Sequence, residues 1–326
     1  MIKLSLPDVI TIGEILIDFI PSKIAKLKDL LTFEKCPGGA PANCAVGIAR
    51  LGINTAFIGK ISDDPFGDYL LEILSREGIN VDSVVKAKSG EKTSLAFVYY
   101  DENLERNFFF YRKNTADLKL SPSELKPNFF SKLKYLLFGT VSLTEEPARS
   151  ATFRAIELCK KNGGKVCFDP NIRLSLWENE KEFSRILHKA LLQTDIFLPS
   201  KDELEFILNK VNIDEQKSID ELFEKYPIEI IALKRGKEGS IVKKRNNHFC
   251  EIPSFEIETK DTTGAGDGFN AGFIYGLVRK LTLEESALIG NAVGAIVIQK
   301  KGAMASLPTI EELEKFLINQ NVKIEL

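Results

Sequence analysis

The strongest constraint on what this chain can fold into is a recurring rhythm. A short, almost wholly apolar run is followed by an amphipathic stretch that stops at glycine. Asp8 to Gly13 is the first such run. Near-continuous apolar character over so few residues reads as a strand covered on both faces, as in a parallel sheet between helices. Further strand-like runs are Asn54–Lys60, Tyr135–Phe138, Lys165–Phe168, Ile196–Leu198 and Glu229–Leu233. Between them, Cys44–Leu51 stops at Gly52, Pro65–Glu77 at Gly78 and Glu145–Lys161 at Gly163-Gly164, each a helix with a glycine terminus. Glu284–Lys300 and Ile310–Ile318 read as closing helices. Strand–helix alternation with short connections predicts an α/β fold. A length of 326 residues suits one large α/β domain or two smaller ones.

The rhythm breaks once. Thr93–Tyr100 and Asn107–Tyr111 are β-rich and joined by a polar turn through Asp101-Glu102-Asn103, which signals a hairpin. With the segment at 14–37 it predicts a small antiparallel sheet standing off the main body, a lid assembled from roughly 14–37 and 91–118. Arg112 ends the second of these strands, where a guanidinium could clamp an anion or simply face solvent.

Composition removes several function classes. Hydrophobic residues make up 44% and charged residues 28%, as in a soluble globular protein. The net charge is −2 with no basic stripe, so nucleic acid is not an expected partner. The apolar segment Met1–Ile20 is interrupted by Asp8, Glu14 and Asp18. It reads as a buried strand and neither as a leader nor as a membrane span, and a cytoplasmic protein is expected. Cys36, Cys44, Cys159, Cys167 and Cys250 are odd in number and contain no CxxC pair, so reduced, mostly buried thiols are expected. The two histidines, His188 in a helical pattern and His248 in a basic, Asn-rich turn, make a zinc site unlikely in type. No GxSxG nucleophile elbow and no GxxxxGK[ST] P-loop occurs.

Chemistry concentrates where strands end. In open α/β sheets ligands bind at the carboxyl ends of the strands. Asp18 lies just past the first strand, Asp169-Pro170-Asn171-Ile172-Arg173 follows another, and Lys234-Arg235-Gly236-Lys237-Glu238-Gly239 follows a third. Asp18 suits a hydroxyl, though a solvated loop acid fits its position equally. The basic, glycine-bearing third run suits phosphates or a plain turn. Gly38 and Gly39 would let a ligand approach the backbone closely, and Asn43, one turn into the next helix, offers a donor and an acceptor to a polyol.

The densest constellation is Asp261-Thr262-Thr263-Gly264-Ala265-Gly266-Asp267-Gly268. Phe255-Glu256-Ile257-Glu258 before it alternates like a strand. After it, Phe269, Phe273, Leu277 and Leu281 recur every four residues like the apolar stripe of a buried helix. The octet is then a loop emptying into a helix N-terminus, where unpaired N–H groups and the helix dipole favour an anion. A carboxylate beside a bound phosphate needs a reason, and a base for an attacking alcohol is one. An ordinary cap and turn would also account for the stretch. A dinucleotide fingerprint fits less well: the spacing is GxGxG with Phe269 at the next position, and Glu284, about twenty residues on, sits in what looks like a helix start.

The two glycine motifs in this order resemble the signatures of the ribokinase-like, or pfkB, family of carbohydrate kinases. Within it the chain is most similar to the fructokinases. The phrases that carry the likeness are Gly13-Glu14-Ile15-Leu16-Ile17-Asp18, Pro37-Gly38-Gly39-Ala40-Pro41-Ala42-Asn43, Val46–Gly52, Phe57–Lys60, Asp169–Arg173 with Leu176-Trp177, and the octet. The resemblance covers essentially the whole chain. It implies a single domain, a three-layer α/β/α sandwich with a mostly parallel central sheet and a small β-sheet lid. It implies ATP-dependent phosphorylation of a sugar hydroxyl, for fructose the 6-hydroxyl, with Asp267 as base and the backbone of Gly264, Ala265 and Gly266 as anion hole. Asp18, Gly38, Gly39 and Asn43 would hold the sugar, with Arg112 and Arg173 near substrate and phosphates. Lys234, Gly236 and Gly239 would line the nucleotide and Asn291 would flank the adenine. Mg²⁺ should accompany ATP, its water shell organised by Glu203, whose motif here begins with Ser200 where the family has Asn. A potassium site near Asp261 and Thr263 and a homodimer through the lid are common in the family. The same resemblance admits 2-keto-3-deoxygluconate kinase, for which two arginines could hold a carboxylate, and a non-catalytic scaffold, which would require a damaged site. Ribokinase fits less well, because its motif carries Lys where Ala40 stands.

Overall fold

A computed structural model describes residues 6–101, 106–246 and 249–326. Its strands are β1 (Val9–Ile12), β2 (Leu16–Pro21), β3 (Phe33–Gly38), β4 (Thr55–Ile61), β5 (Val84–Lys86), β6 (Leu95–Tyr100), β7 (Arg106–Tyr111), β8 (Tyr135–Gly139), β9 (Lys165–Asp169), β10 (Ile196–Phe197), β11 (Ile230–Lys234), β12 (Ser240–Lys244) and β13 (Phe249–Ile252). The helices are α1 (Ala40–Arg50), α2 (Pro65–Arg76), α3 (Ala148–Lys161), α4 (Glu180–Leu191), α5 (Lys201–Leu208), α6 (Glu215–Lys225), α7 (Ala265–Arg279), α8 (Leu283–Val297), α9 (Ala303–Ser306) and α10 (Ile310–Asn319).

Nine strands form the large sheet in the order β13-β12-β11-β10-β9-β8-β1-β4-β5. From β11 to β5 every pair is parallel, and β12 and β13 add an antiparallel edge. The apolar runs behave as two-sided strands should. Val9 and Leu137 pack with α1, α7 and α8, while Ile10, Leu136 and Phe138 pack with α3 and α4. Side chains alternate across a strand, so each run feeds two cores and the sheet becomes the middle of three layers. Phe138, Phe168 and Phe197 from three adjacent strands stack in the second core at 4.6 and 5.7 Å between ring centres.

Helix ends follow the sequence signals. Asp64 caps α2 through the N–H groups of Phe66 and Gly67, and Thr282 and Thr309 open α8 and α10 with capping boxes. His188 lies in α4, as its pattern suggested, and its Nδ1 is 3.1 Å from the Tyr226 hydroxyl. The expected turns at Glu102-Asn103 and His248 lie outside the described residues.

A second sheet of four strands stands off the first, in the order β3-β2-β6-β7. It is not purely antiparallel as expected, because β2 runs parallel to β6. The chain leaves β2 for β3 and the main body before returning, so β2 and β6 enter the lid from the same side. The second difference is at 255–258, which pairs with no strand. The segment passes over the cleft instead: the Asn291 amide donates to the carbonyls of Ile252 and Pro253, and Phe255 meets Phe316 edge-on at 5.1 Å. Phe255, Glu256 and Ile257 all line the cleft, and the alternation reflects half-buried apolar side chains against exposed acids, with no ladder involved.

Candidate active site

From β1 the chain builds outward to β4 and β5, then returns to β8 on the other side of β1. Connections diverge at this switch point, which is where an open sheet leaves a crevice. A cleft of about 980 Å³ lies there. Glu14 reaches it after β1, Val141 after β8, Asp169 and Arg173 at the end of β9, Ser200 and Glu203 after β10, and Lys234 with Gly236 at the end of β11. The lid walls one half. In its register Asp18 pairs with Ala96, and Ala96 with Phe110, so Asp18, Phe108 and Phe110 share the face that lines the cleft.

The octet forms the floor. Gly264 is left-handed at φ 80° and precedes the first helical residue, Ala265, and no side chain caps that end. A Cβ at Gly264 would lie 2.6 Å from the Ala303 Cβ, so both backbone angle and space demand glycine. Asp261 staples the loop: Oδ1 accepts from the Thr263 N–H and hydroxyl, and Oδ2 from the Gly302 N–H at 3.1 Å. The first-turn N–H groups therefore point at the cleft with the positive end of the dipole behind them. The Ala265 N–H makes only a long contact, 3.3 Å, to the Thr262 carbonyl.

Asp267 sits in that first turn, half-buried, and its Oδ2 accepts from Asn43 Nδ2 at 2.8 Å. Desolvation pushes its carboxyl up to about 7. The Asn43 hydrogen bond opposes this, Asp169 adds to it, and the charges of Lys234 and Arg173 oppose it. The group is thus poised to take a proton near neutrality. The sign is fixed: below about pH 7 the raised-pKa acid is already protonated and cannot act as a base. Turnover expressed as kcat/KM is expected to fall below pH 7, approaching about tenfold per pH unit, and to flatten above it. An ordinary exposed carboxylate would leave the profile flat from pH 5.5 upward, and a flat profile would remove Asp267 from that role.

A second network borders the floor. Lys234 Nζ lies 3.0 Å from Asp169 Oδ1 and 3.3 Å from Asn270 Oδ1, and Asn270 Nδ2 donates to Asp169 Oδ2 at 2.7 Å. Burial alone would discharge this lysine, but Asp169, Glu203 and Asp267 more than offset it and its pKa is raised. A Cβ on Gly266 would come within 3.7 Å of the ammonium, so a fixed cation flanks the open N–H groups. Glu203 is locked by the Ser200 capping box and by the Ile172 N–H, which donates to Oε1 at 2.9 Å. Among the described residues no three His, Cys, Asp or Glu side chains come together as a metal cage.

This combination, an anion cradle with an adjacent raised-pKa carboxylate beneath a lid, is chemistry for phosphoryl transfer to an alcohol. Comparison with known proteins agrees. Residues 6–310 match the sequence model of the pfkB family of carbohydrate kinases. The chain belongs to that family. Fructokinase-1 of Zea mays is 37% identical over 94% of this chain and 96% of its own length. The 5-dehydro-2-deoxygluconokinase of Listeria innocua is 32% identical over 96% of each. The crystal structure of fructokinase with bound ATP from Xylella fastidiosa aligns with a TM-score of 0.87 at 29% identity, over 97% of this chain and all of that one. The fold is ribokinase-like, and the protein is a sugar kinase.

In this pfkB kinase the expected site residues mostly converge. Asp18, Gly39, Asn43, Arg173, Glu203, Lys234, Gly236, Gly239, Asn291 and the six octet residues from Thr262 to Asp267 all line one cleft, while Asp261 lies behind them as the staple of the loop. Gly38 lies beneath Asp18, and a Cβ there would stand 2.1 Å from Asp18 Oδ2. Arg173 crosses the Phe108 ring at 5.7 Å. Arg112 is placed differently. It is buried, with Nε on Asp117 Oδ2 at 2.7 Å, Nη1 on the Thr144 hydroxyl at 2.8 Å and Nη2 on the Val141 carbonyl at 3.1 Å. The guanidinium is turned into the base of the lid, where it braces structure, and Arg112 is not among the residues that line the cleft.

Two residues escaped the sequence reading. Asn270 is a fully buried polar residue in a stretch of α7 that is buried on all sides, and an Asn amid so apolar a helix is the signal that something polar faces it. Glu14 is 3% exposed and lines the cleft, and the signal was a carboxylate inside an apolar strand pair.

Proposed function

We propose that this sugar kinase transfers the γ-phosphoryl group of ATP to the 6-hydroxyl of D-fructose. The observation that carries the reading is Asp267, a carboxylate at about 7 set between an open helix N-terminus and a lid-covered pocket of acceptors. Asp267 takes the hydroxyl proton as the sugar oxygen attacks phosphorus and the bond to the β–γ bridging oxygen breaks, releasing ADP. Charge on the transferring group is met by the backbone N–H groups of Gly264, Ala265 and Gly266 and by the Lys234 ammonium. Asp18, Gly39 and Asn43 orient the sugar, with Phe108 and Phe110 excluding water that would compete as acceptor. Gly236, Gly239 and Asn291 line the half given to the nucleotide.

Magnesium carried in with the triphosphate would neutralise its charge. A single locked carboxylate, Glu203, with no cage of three acids among the described residues suits an ion that keeps most of its waters. A potassium ion at Asp261 and Thr263 would have to share Asp261 with the donors from Thr263 and Gly302, and no step requires it. The outer face of the lid carries Phe19, Phe97, Phe109 and Tyr111, with Phe97 stacked on Phe19 at 4.8 Å and on Phe109 at 5.0 Å. Tyr111 is 63% exposed there. That aromatic face supports a homodimer formed through the lids.

A second reading, phosphorylation of 5-dehydro-2-deoxygluconate, is favoured by the Listeria relative and by Arg173, a guanidinium in the cleft that could meet a carboxylate. The related sugar acid 2-keto-3-deoxygluconate stands on Arg173 as well. A scaffold without activity is disfavoured by an undamaged Asp267 and octet. ADP release with ATP and Mg²⁺ against fructose, ribose, both sugar acids and no sugar separates these. Strong turnover on fructose alone is the expected result. Turnover on a sugar acid alone would replace the first reading by the second, and silence from folded protein would end both.

A further inference from the structure

Glu14 has no role in the mechanism above, and its surroundings are unusual. It follows Gly13 at the end of β1 and is wedged against the start of α1. A Cβ on Gly13 would meet the Pro41 ring at 2.7 Å, and one on Gly39 would meet the Glu14 carbonyl at 2.6 Å. The side chain is thereby fixed at the lid end of the cleft, 3% exposed. Among the described residues its Oε2 is buried without a hydrogen-bond partner, and so is Oδ1 of Asn43, the residue whose amide holds Asp267.

The cation that acts on Glu14 does not resolve this. Arg112 acts on Glu14 at a distance, yet its donors go to Asp117, Thr144 and Val141. Buried acceptors without donors are costly and rare in folded proteins. Two of them in one cleft wall, joined through Asn43 to the base, form a receptor for something that brings its own O–H groups. A sugar hydroxyl is such a donor. A carboxylate group is not, since it carries only acceptors at neutral pH, and the ionised Asp18 beside it adds repulsion.

Granted that the cleft phosphorylates a sugar, we propose that Glu14 is a specificity-determining residue. With Asn43 Oδ1 it accepts hydroxyl protons from the sugar away from the reacting oxygen, and so selects a neutral polyol over a sugar acid.

The test uses Glu14→Gln, which keeps shape and volume but replaces one acceptor by a donor. Initial rates are measured for D-fructose, its 1-, 3- and 4-deoxy analogues and 5-dehydro-2-deoxygluconate, with the urea midpoint as the check on folding. KM for fructose is expected to rise about tenfold or more, the scale of one hydrogen bond to a charged group, with kcat within about threefold. The ratio of kcat/KM for the sugar acid to that for fructose should rise by at least the same factor. Wild-type protein should discriminate against at least one deoxy analogue by about tenfold, and the variant should lose that discrimination.

Unchanged KM and selectivity in a folded variant, or equal losses on neutral and acidic sugars, would overturn the assignment while leaving the sugar-kinase reading intact. So would a wild-type protein indifferent to every deoxy analogue, a result that needs no variant to fold. A wild type that prefers the sugar acid would overturn it together with the fructose reading.

Discussion

Asp267→Asn is expected to lower kcat by about a hundredfold to ten-thousandfold, the usual range for loss of a positioned general base. The substitution is nearly isosteric, and its carbonyl oxygen can still accept from Asn43 Nδ2, which now lies 2.8 Å from Asp267 Oδ2. Folding should therefore change little. KM for ATP should stay the same or fall, because a negative charge beside the phosphate cradle is removed. A fall in kcat without a rise in KM is the signature of an interaction made in the transition state and not in the ground state. Steady-state rates with fructose and ATP, and a urea midpoint, measure both parts. If kcat stayed within threefold of wild type, the proton would have to leave by another route, and the raised carboxyl at the floor would need a different purpose.

The fold was legible in the chain because its strands are buried on both faces. A run such as Tyr135–Phe138 has no polar side to confuse it, and each run sits within a residue or two of its strand. The octet was legible for a different reason. Gly264 needs a left-handed angle and open space at once, and few residues other than glycine satisfy either demand, so the backbone requirement is written directly in the sequence. What failed were readings that depend on a partner. Phe255–Glu258 alternates like a strand, but alternation records only that two sides differ. It does not say whether a ladder runs along the segment or one side is simply exposed. Arg112 shows the same limit for charge. Its partner Asp117 is five residues away in sequence, yet nothing local to either residue says whether a guanidinium will face a cleft or turn inward. Glu14 was passed over because a single acid in an apolar run looks like an interruption, and its meaning rests on which donors the rest of the fold withholds from it.

Asp117→Ala is the second large effect expected, and it falls on stability. Arg112 and Asp117 have side chains only 4% and 2% exposed and meet at 2.7 Å. Asp117 Oδ1 also accepts from the hydroxyls of Ser94 and Thr115, the latter at 2.7 Å. Removing the carboxylate leaves a buried guanidinium without its counter-charge and the Thr115 hydroxyl without its acceptor, while Ser94 keeps Thr115 Oγ1 at 2.7 Å. Breaking such a pair from one side costs about 3–5 kcal/mol, readable as a drop in the urea unfolding midpoint. Replacing both partners removes the stranded charge, so Arg112→Met with Asp117→Ala should be more stable than Asp117→Ala alone. A structural pair in the core would stop there. This one ties the end of β7 in the lid to Val141 and Thr144 beyond β8, at the mouth of the cleft. Loosening it should therefore also raise KM for the sugar more than KM for ATP, since only the lid half of the cleft depends on that brace. A loss of less than about 1 kcal/mol would mean that water reaches the pair, and the lid would then have to be held by its strand connections alone.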